Sequence, residues 1–214
     1  MSLKDQLEAR LTASKKAIPA EKRVIMENAT NELLAKEISR SALGEGDTAP
    51  DFRLSNATGK QVSLSEVLKE KIAVVSFYRG GWCPYCNIEL KALQSVLPQI
   101  KKNGAQLIAI SPEQPDKSLS TQEKNELSFE VLSDVNNKTA KDFGLVFRMP
   151  DELQKLYHEF GLHVDDYNGN DDYELPMPAT YVIDKDRKII YSFTHEDYTK
   201  RAEPSKIIAV LESL

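Results

Sequence analysis

The sequence has only two cysteines and one tryptophan in 214 residues. Two thiols exclude a four-cysteine zinc site within one subunit, and they are too few for a secreted disulfide framework. A two-cysteine, two-histidine site would have to recruit His158 and His163, which stand at the outer edge of the zinc spacing. An excess of positive charge is also missing. The net charge is −5 with the basic residues scattered among acidic ones, so no nucleic-acid footprint is expected. No apolar run approaches the length of a membrane span, and Met1-Ser2-Leu3-Lys4-Asp5 opens no signal peptide. No metal and no cofactor are expected, and a reducing cytoplasm is the simplest compartment. What remains, 41% hydrophobic and 29% charged residues, suits an ordinary globular protein long enough for one α/β domain and an extension.

The stretch Phe77-Tyr78-Arg79-Gly80-Gly81-Trp82-Cys83-Pro84-Tyr85-Cys86 holds both thiols. Before it, Ile72 to Tyr78 is apolar and rich in β-branched residues, the pattern of a buried central strand. After it, Ile88, Leu90, Leu93, Val96, Leu97 and Ile100 recur at helical spacing. The two cysteines therefore fall where a strand gives way to a helix, with Cys83 at or just before the first turn. Unpaired backbone N–H groups and the positive end of the helix dipole favour a thiolate there. Pro84, at an early helical position, costs no helical hydrogen bond and fixes φ. Two sulfurs three residues apart on a first turn can approach closely enough to bond. The reading is thiol–disulfide chemistry, in a pair that a visitor can reach.

Residues 1–44 are helical in pattern and distinct in composition. Leu3, Leu7 and Leu11 form one narrow apolar stripe; a second helix from Pro19 offers Val24, Ile25, Leu33, Leu34 and Ile38 for burial. This extension either packs on its own domain or pairs with a second copy. Residues 45–214 then form the domain proper. A short hairpin joins Phe52-Arg53-Leu54 to Lys60-Gln61-Val62, and Ser63-Leu64-Ser65-Glu66 has the capping-box pattern. Pro98 should bend or break the redox helix near Leu97. Further strands are expected at Ala105–Ile110 and Phe129–Leu132, and helices at Pro115–Leu127, Ala140–Phe143 and Pro150–Phe160. Val164 to Glu174 reads as a solvated acidic loop, and Ala179–Ile183 with Ile189–Phe193 as an antiparallel hairpin. His195-Glu196-Asp197-Tyr198 reads as a surface turn, and Pro204 opens a last helix. The order suggests one mixed sheet with helices on both faces.

Trp82-Cys83-Pro84-Tyr85-Cys86 after a central strand, with Met177-Pro178-Ala179-Thr180 before a late hairpin, resembles the thioredoxin-fold superfamily. The resemblance implies a thioredoxin-like α/β fold with a mixed central sheet, and a cis Met177–Pro178 bond facing the dithiol. Asp47 to Leu54, Val62 to Glu66 and Pro178 to Asp184 resemble the peroxiredoxin family over most of residues 45–214. Two registers follow. In the thioredoxin register Cys83 is the exposed attacking thiolate and Cys86 resolves the mixed disulfide. In the peroxiredoxin register the peroxide-attacking cysteine falls on Cys86, and Glu89 matches the acidic residue three places on. That family's P-x-x-x-T-x-x-C pattern is broken twice, by Arg79 for the proline and Cys83 for the threonine. Arg148 and Arg201 are both candidates for the family's partner arginine.

The resemblance thus implies a thiol oxidoreductase cycling a Cys83–Cys86 disulfide. A hydroperoxide, or in the alternative a protein disulfide, would be the substrate, and thioredoxin or a small thiol the reductant. A non-catalytic binding module on the same fold is the third possibility. Arg79 either lowers a thiol pKa and binds a developing anion or is solvated on its loop. Trp82 is expected to shield the dithiol and offer a docking surface, and Tyr85 to be exposed. Pro178 and Thr180 complete the supporting set.

Overall fold

The computed structural model describes all 214 residues. In chain order the elements are α1 (Leu3–Ala17), α2 (Ala20–Lys36), β1 (Arg53–Asn56), β2 (Gln61–Ser63), α3 (Leu64–Leu68), β3 (Ile72–Phe77), α4 (Pro84–Lys102) and β4 (Ala105–Ser111). There follow α5 (Pro115–Lys124), β5 (Glu130–Ser133), α6 (Lys138–Asp142), β6 (Val146–Arg148), α7 (Asp151–Glu159), α8 (Val164–Asn168), β7 (Glu174–Pro176), β8 (Ala179–Ile183), β9 (Ile189–Thr194) and α9 (Pro204–Glu212). Seven strands form one mixed sheet in the order β2-β1-β5-β4-β3-β8-β9. β3 runs parallel to β4 and antiparallel to β8, so the strand that delivers the thiols lies near the middle of the sheet. No helix is long and apolar enough to cross a membrane.

Side chains alternate across a strand, and the central strands use both faces. Val74, Leu107, Ala109, Val131 and Val182 point to one core, which α4, α9 and the Leu3–Leu7 stripe of α1 complete. Ala73, Val75, Phe77, Ile108, Ile110, Tyr181 and Ile183 point to the other, closed by Leu64 and Leu68 of α3 and by Phe143. Phe77, Phe143 and Tyr181 meet there with ring centroids 5.0–6.1 Å apart. A smaller cluster joins Met149, Leu153, Leu156 and Tyr157 to Val164 and Leu175.

Several expectations need correction. α4 continues through Pro98; that residue lies on the exposed face, so the hydrogen bond it removes is lost away from the core. The Ser63 capping box does not form. Asp51 Oδ1 accepts from the Ser65 N–H at 2.9 Å instead, while Ser63 Oγ sits 2.7 Å from Ser65 Oγ. The acidic segment after His163 is not all loop: Val164–Asn168 is a short helix because Val164 and Asn168 are buried beneath it. β6 and β7 pair as a separate two-stranded ribbon, too short to show any alternation in the sequence. Only Leu33 of the proposed α2 core is buried; Val24 and Leu34 are exposed, because α2 meets mainly the single helix α7.

No peptide bond is cis, so Met177–Pro178 is trans. β7 runs directly on into β8 through these residues, and the Met177 N–H donates to the Leu145 carbonyl at 2.9 Å. Without a tight turn to demand the other isomer, the ordinary trans preference prevails.

Candidate active site

The loop between β3 and α4 is held from below. Glu113 Oε1 accepts from the Gly81 N–H at 2.9 Å, and Asn87 Nδ2 donates to the Gly81 carbonyl at 2.8 Å. Only glycine fits at 81, since a Cβ there would lie 1.9 Å from Thr121 Oγ1. The loop then delivers Cys83 to the N-cap of α4 with extended φ and ψ, and Pro84 opens the helix. Cys86 follows in the first turn. Both cysteines are free thiols, and both are buried.

Their surroundings differ. Cys83 lines a cavity of about 180 Å³ together with Trp82, Tyr85, Tyr157 and Tyr198. It is thus not the exposed thiolate of the thioredoxin register: α1 and α2 lie over it, contributing Leu11, Ile18 and Met26 to the same cavity. Cys86 is fully buried and does not reach that space. Its Sγ accepts from Arg201 Nη2 at 3.4 Å, and Arg201 Nε donates to Glu89 Oε2 at 2.5 Å. Arg201 is fixed further by the Tyr198 carbonyl and by the Lys200 carbonyl at 2.7 Å. Of the two candidate arginines it is therefore Arg201 that reaches a thiol. Arg148 is exposed and pairs with Asp151.

Arg79 is buried rather than solvated. Its Nη2 donates to the Tyr157 hydroxyl at 3.1 Å, and its guanidinium lies 5.0 Å from the Trp82 ring and 4.7 Å from the Tyr198 ring. Aromatic faces and a neutral hydroxyl hold it, with no carboxylate partner, so much of its charge is available to the thiols. The hydrogen bond from the Cys86 thiol, with Arg79 and Arg201 nearby, brings Cys83 down to about 6 against the burial that opposes it. Burial, and then the neighbouring Cys83, push Cys86 well up. The two shifts run in opposite directions, the outer sulfur toward thiolate and the inner sulfur toward thiol. Burial also raises Glu89 and Glu113 to about 7 each.

The remaining expected residues are divided by the fold. Tyr85 is buried, not exposed, because it stacks edge-on against Tyr198 at 5.5 Å beneath α1. Trp82 is half-buried and faces the cavity, edge-on to Tyr157 at 5.9 Å. Pro178 lines a second, smaller space that shares Arg79, Tyr157 and Tyr198 with the first, so those side chains stand between it and Cys83. Thr180 lies inside the sheet opposite Ser76. The segment from His195 to Tyr198 is no surface turn: Glu196 is buried against the Ser39 N–H at 2.9 Å, and Tyr198 forms a wall of the site. His158 and His163 stack at 4.7 Å and gather with Asp165, a group that includes neither thiol.

The sequence reading missed Glu113, Tyr157 and Tyr198. Glu113 carried a signal, an acid just past the end of the largely apolar strand β4. The tyrosines carried none, since the elements that bear them are brought to the loop only by the fold.

Residues 45–192 match the model of the AhpC/TSA family. A putative chloroplastic peroxiredoxin Q of Oryza sativa subsp. indica is 28% identical over 204 residues, covering 95% of this chain and 81% of that protein. Peroxiredoxin Bcp of Escherichia coli (strain K12) is 32% identical over 103 residues, which is 48% of this chain and 65% of the other. Among solved structures, peroxidoxin BcpB of Mycobacterium tuberculosis superposes with a TM-score of 0.63 at 23% identity, covering 80% of this chain and 98% of that one. A peroxiredoxin-like protein of Aquifex aeolicus gives the same TM-score at 16% identity, covering 80% and 88%. The expected thioredoxin-like fold is thereby met.

Proposed function

The chain belongs to the AhpC/TSA family, and from that membership we propose that it is a thiol peroxidase in which Cys83 and Cys86 cycle between dithiol and disulfide. The observation that carries the reading is the unequal placement of the two sulfurs: Cys83 on a cavity, Cys86 fully buried behind it against Arg201. The Cys83 thiolate attacks the terminal oxygen of a hydroperoxide; the O–O bond breaks and Cys83 becomes a sulfenic acid. The leaving alkoxide takes a proton, for which the Cys86 thiol is the adjacent donor. Arg201 then stabilises the Cys86 thiolate so formed. The Cys86 thiolate attacks the sulfenic sulfur; the S–O bond breaks as the disulfide closes, and the hydroxide expelled takes a proton from solvent to leave as water. Two electrons from a thioredoxin-type or small-thiol reductant restore the pair.

A second reading exchanges the roles, with Cys86 attacking and Cys83 resolving. The contact between Arg201 and Cys86 favours it, since a guanidinium there would also polarise a peroxide. Single Cys83→Ser and Cys86→Ser proteins separate the two. Given one equivalent of hydroperoxide, Cys86→Ser is expected to hold a trappable sulfenic acid at Cys83. Sulfenic acid at Cys86 in the Cys83→Ser protein, and none in the other, would select the second reading. Consumption of peroxide by the protein with both serines would remove the dithiol from the account. The exposure of Val24 and Leu34 supports pairing of subunits through α2 rather than α1, whose Leu3 and Leu7 are committed to the chain's own core.

A further inference from the structure

We propose that α1 and α2 turn the space in front of Cys83 into a binding site for an organic hydroperoxide with a compact apolar body, about one aromatic ring, and an anionic group. This rests on the peroxidase reading and adds the class of substrate.

Size is the first argument. Hydrogen peroxide is hardly larger than a water molecule, whose share of the liquid is about 30 Å³, and an apolar cavity of about 150 Å³ accepts benzene. The cavity at Cys83, about 180 Å³, is thus built for a ring or a short branched alkyl group. Chemistry of the lining is the second. Leu11 and Met26 from the two N-terminal helices, with Ile18 between them, face Trp82, Tyr157 and Phe160 from the body. Dispersion contacts and edge-on ring packing reward an aromatic or branched guest over water.

Charge is the third argument. Arg10 and Lys15 of α1 line the same space, and neither is engaged in an ion pair; the ion pairs of the two helices are Lys4–Glu8 and Lys22–Glu159. Arg23 is occupied by the Lys15 and Ile18 carbonyls, and Glu27 is the one acid on the lining. Two cations outside any ion pair, on the lining of an apolar pocket, suit a carboxylate carried by the guest. These helices precede the stretch that matches the family model, residues 45–192.

The full chain is tested with hydrogen peroxide, cumene hydroperoxide and its para-carboxylate, comparing kcat/KM. The carboxylated compound is expected to be the best substrate. Arg10→Glu with Lys15→Glu should lower its kcat/KM about tenfold relative to that of the two uncharged compounds, as two weak exposed charge contacts would. The milder Arg10→Gln with Lys15→Gln pair should shift it in the same direction. Trp82, the one tryptophan, reports binding without turnover. The carboxylated cumyl alcohol product should change its fluorescence saturably, about tenfold more weakly in the charge-reversed protein. Equal use of all three peroxides, or a carboxylate preference that survives charge reversal, would overturn the proposal and leave the peroxidase standing. Binding of the alcohol with no peroxide consumed would overturn the peroxidase reading itself, and the substrate assignment with it.

Discussion

The two sulfurs stand three residues apart on one helical turn, yet each is served by a different arginine in a different way. On the inner side, Arg201 is paired with the buried carboxylate of Glu89 at 2.5 Å and touches Cys86. On the cavity side, Arg79 has rings and a phenol for partners and no carboxylate. A guanidinium already neutralised by an acid fixes a structure; one left unneutralised shifts an equilibrium. Arg79 thus adds to the hydrogen bond from Cys86 in favouring a thiolate at Cys83, while burial and the neighbouring Cys83 hold the proton on Cys86 despite Arg201.

Substitution of the two arginines should bring the contrast out most strongly. Arg201→Met strands Glu89 in the interior, and breaking a buried pair in this way costs about 3–5 kcal/mol. Urea unfolding is expected to show that loss, and Arg201→Met with Glu89→Leu should recover most of it. Arg79→Met removes two ring contacts and one hydrogen bond to the neutral Tyr157 hydroxyl and strands no buried charge, a loss of about 1–2 kcal/mol. Its larger consequence is expected in titration, where the thiolate absorbance of the dithiol should move to higher pH. If Arg79→Met unfolds the protein and Arg201→Met does not, the assignment of the two arginines is reversed.

Smaller effects should appear in the pH dependence of stability. Glu113 is raised from 4.5 to about 7, mainly by burial, so the folded chain keeps a proton there that the unfolded chain has lost. Its contribution therefore falls as pH rises from 4.5 to about 7. Cys83 is lowered from 9.0 to about 6, so its contribution is full above 9.0 and is lost as pH falls through about 6. Glu113→Gln keeps an acceptor for the Gly81 N–H but cannot ionise. Its urea midpoint should fall less than that of the parent between pH 5 and 7, and both should rise together above 7. An unchanged slope below pH 7 would mean that Glu113 does not carry the proton.

What the sequence revealed, and what it did not, follows the range of the forces involved. The strand–cysteine–helix junction was legible because the apolar run before Tyr78 and the helical spacing after Asn87 are local patterns. So was the β8–β9 hairpin, whose strands are next to one another in the chain. Arg201 was visible as a candidate but could not be chosen, since 115 residues separate it from the sulfur it touches. The covering of Cys83 by α1 and α2 was illegible for the same reason. A leucine stripe says that a helix packs, and nothing in it says over what. Pro178 shows the reverse failure, in which a family habit suggested a cis bond that the straight passage from β7 to β8 does not require.

The central claim is that the sulfur facing the cavity is the ionised one. Substoichiometric iodoacetamide, applied to the reduced full chain across a range of pH and mapped by mass spectrometry, tests it directly. The account predicts carboxamidomethylation at Cys83 first, with a midpoint near pH 6. Labelling of Cys86 ahead of Cys83, or a midpoint near that of a free thiol, would contradict it.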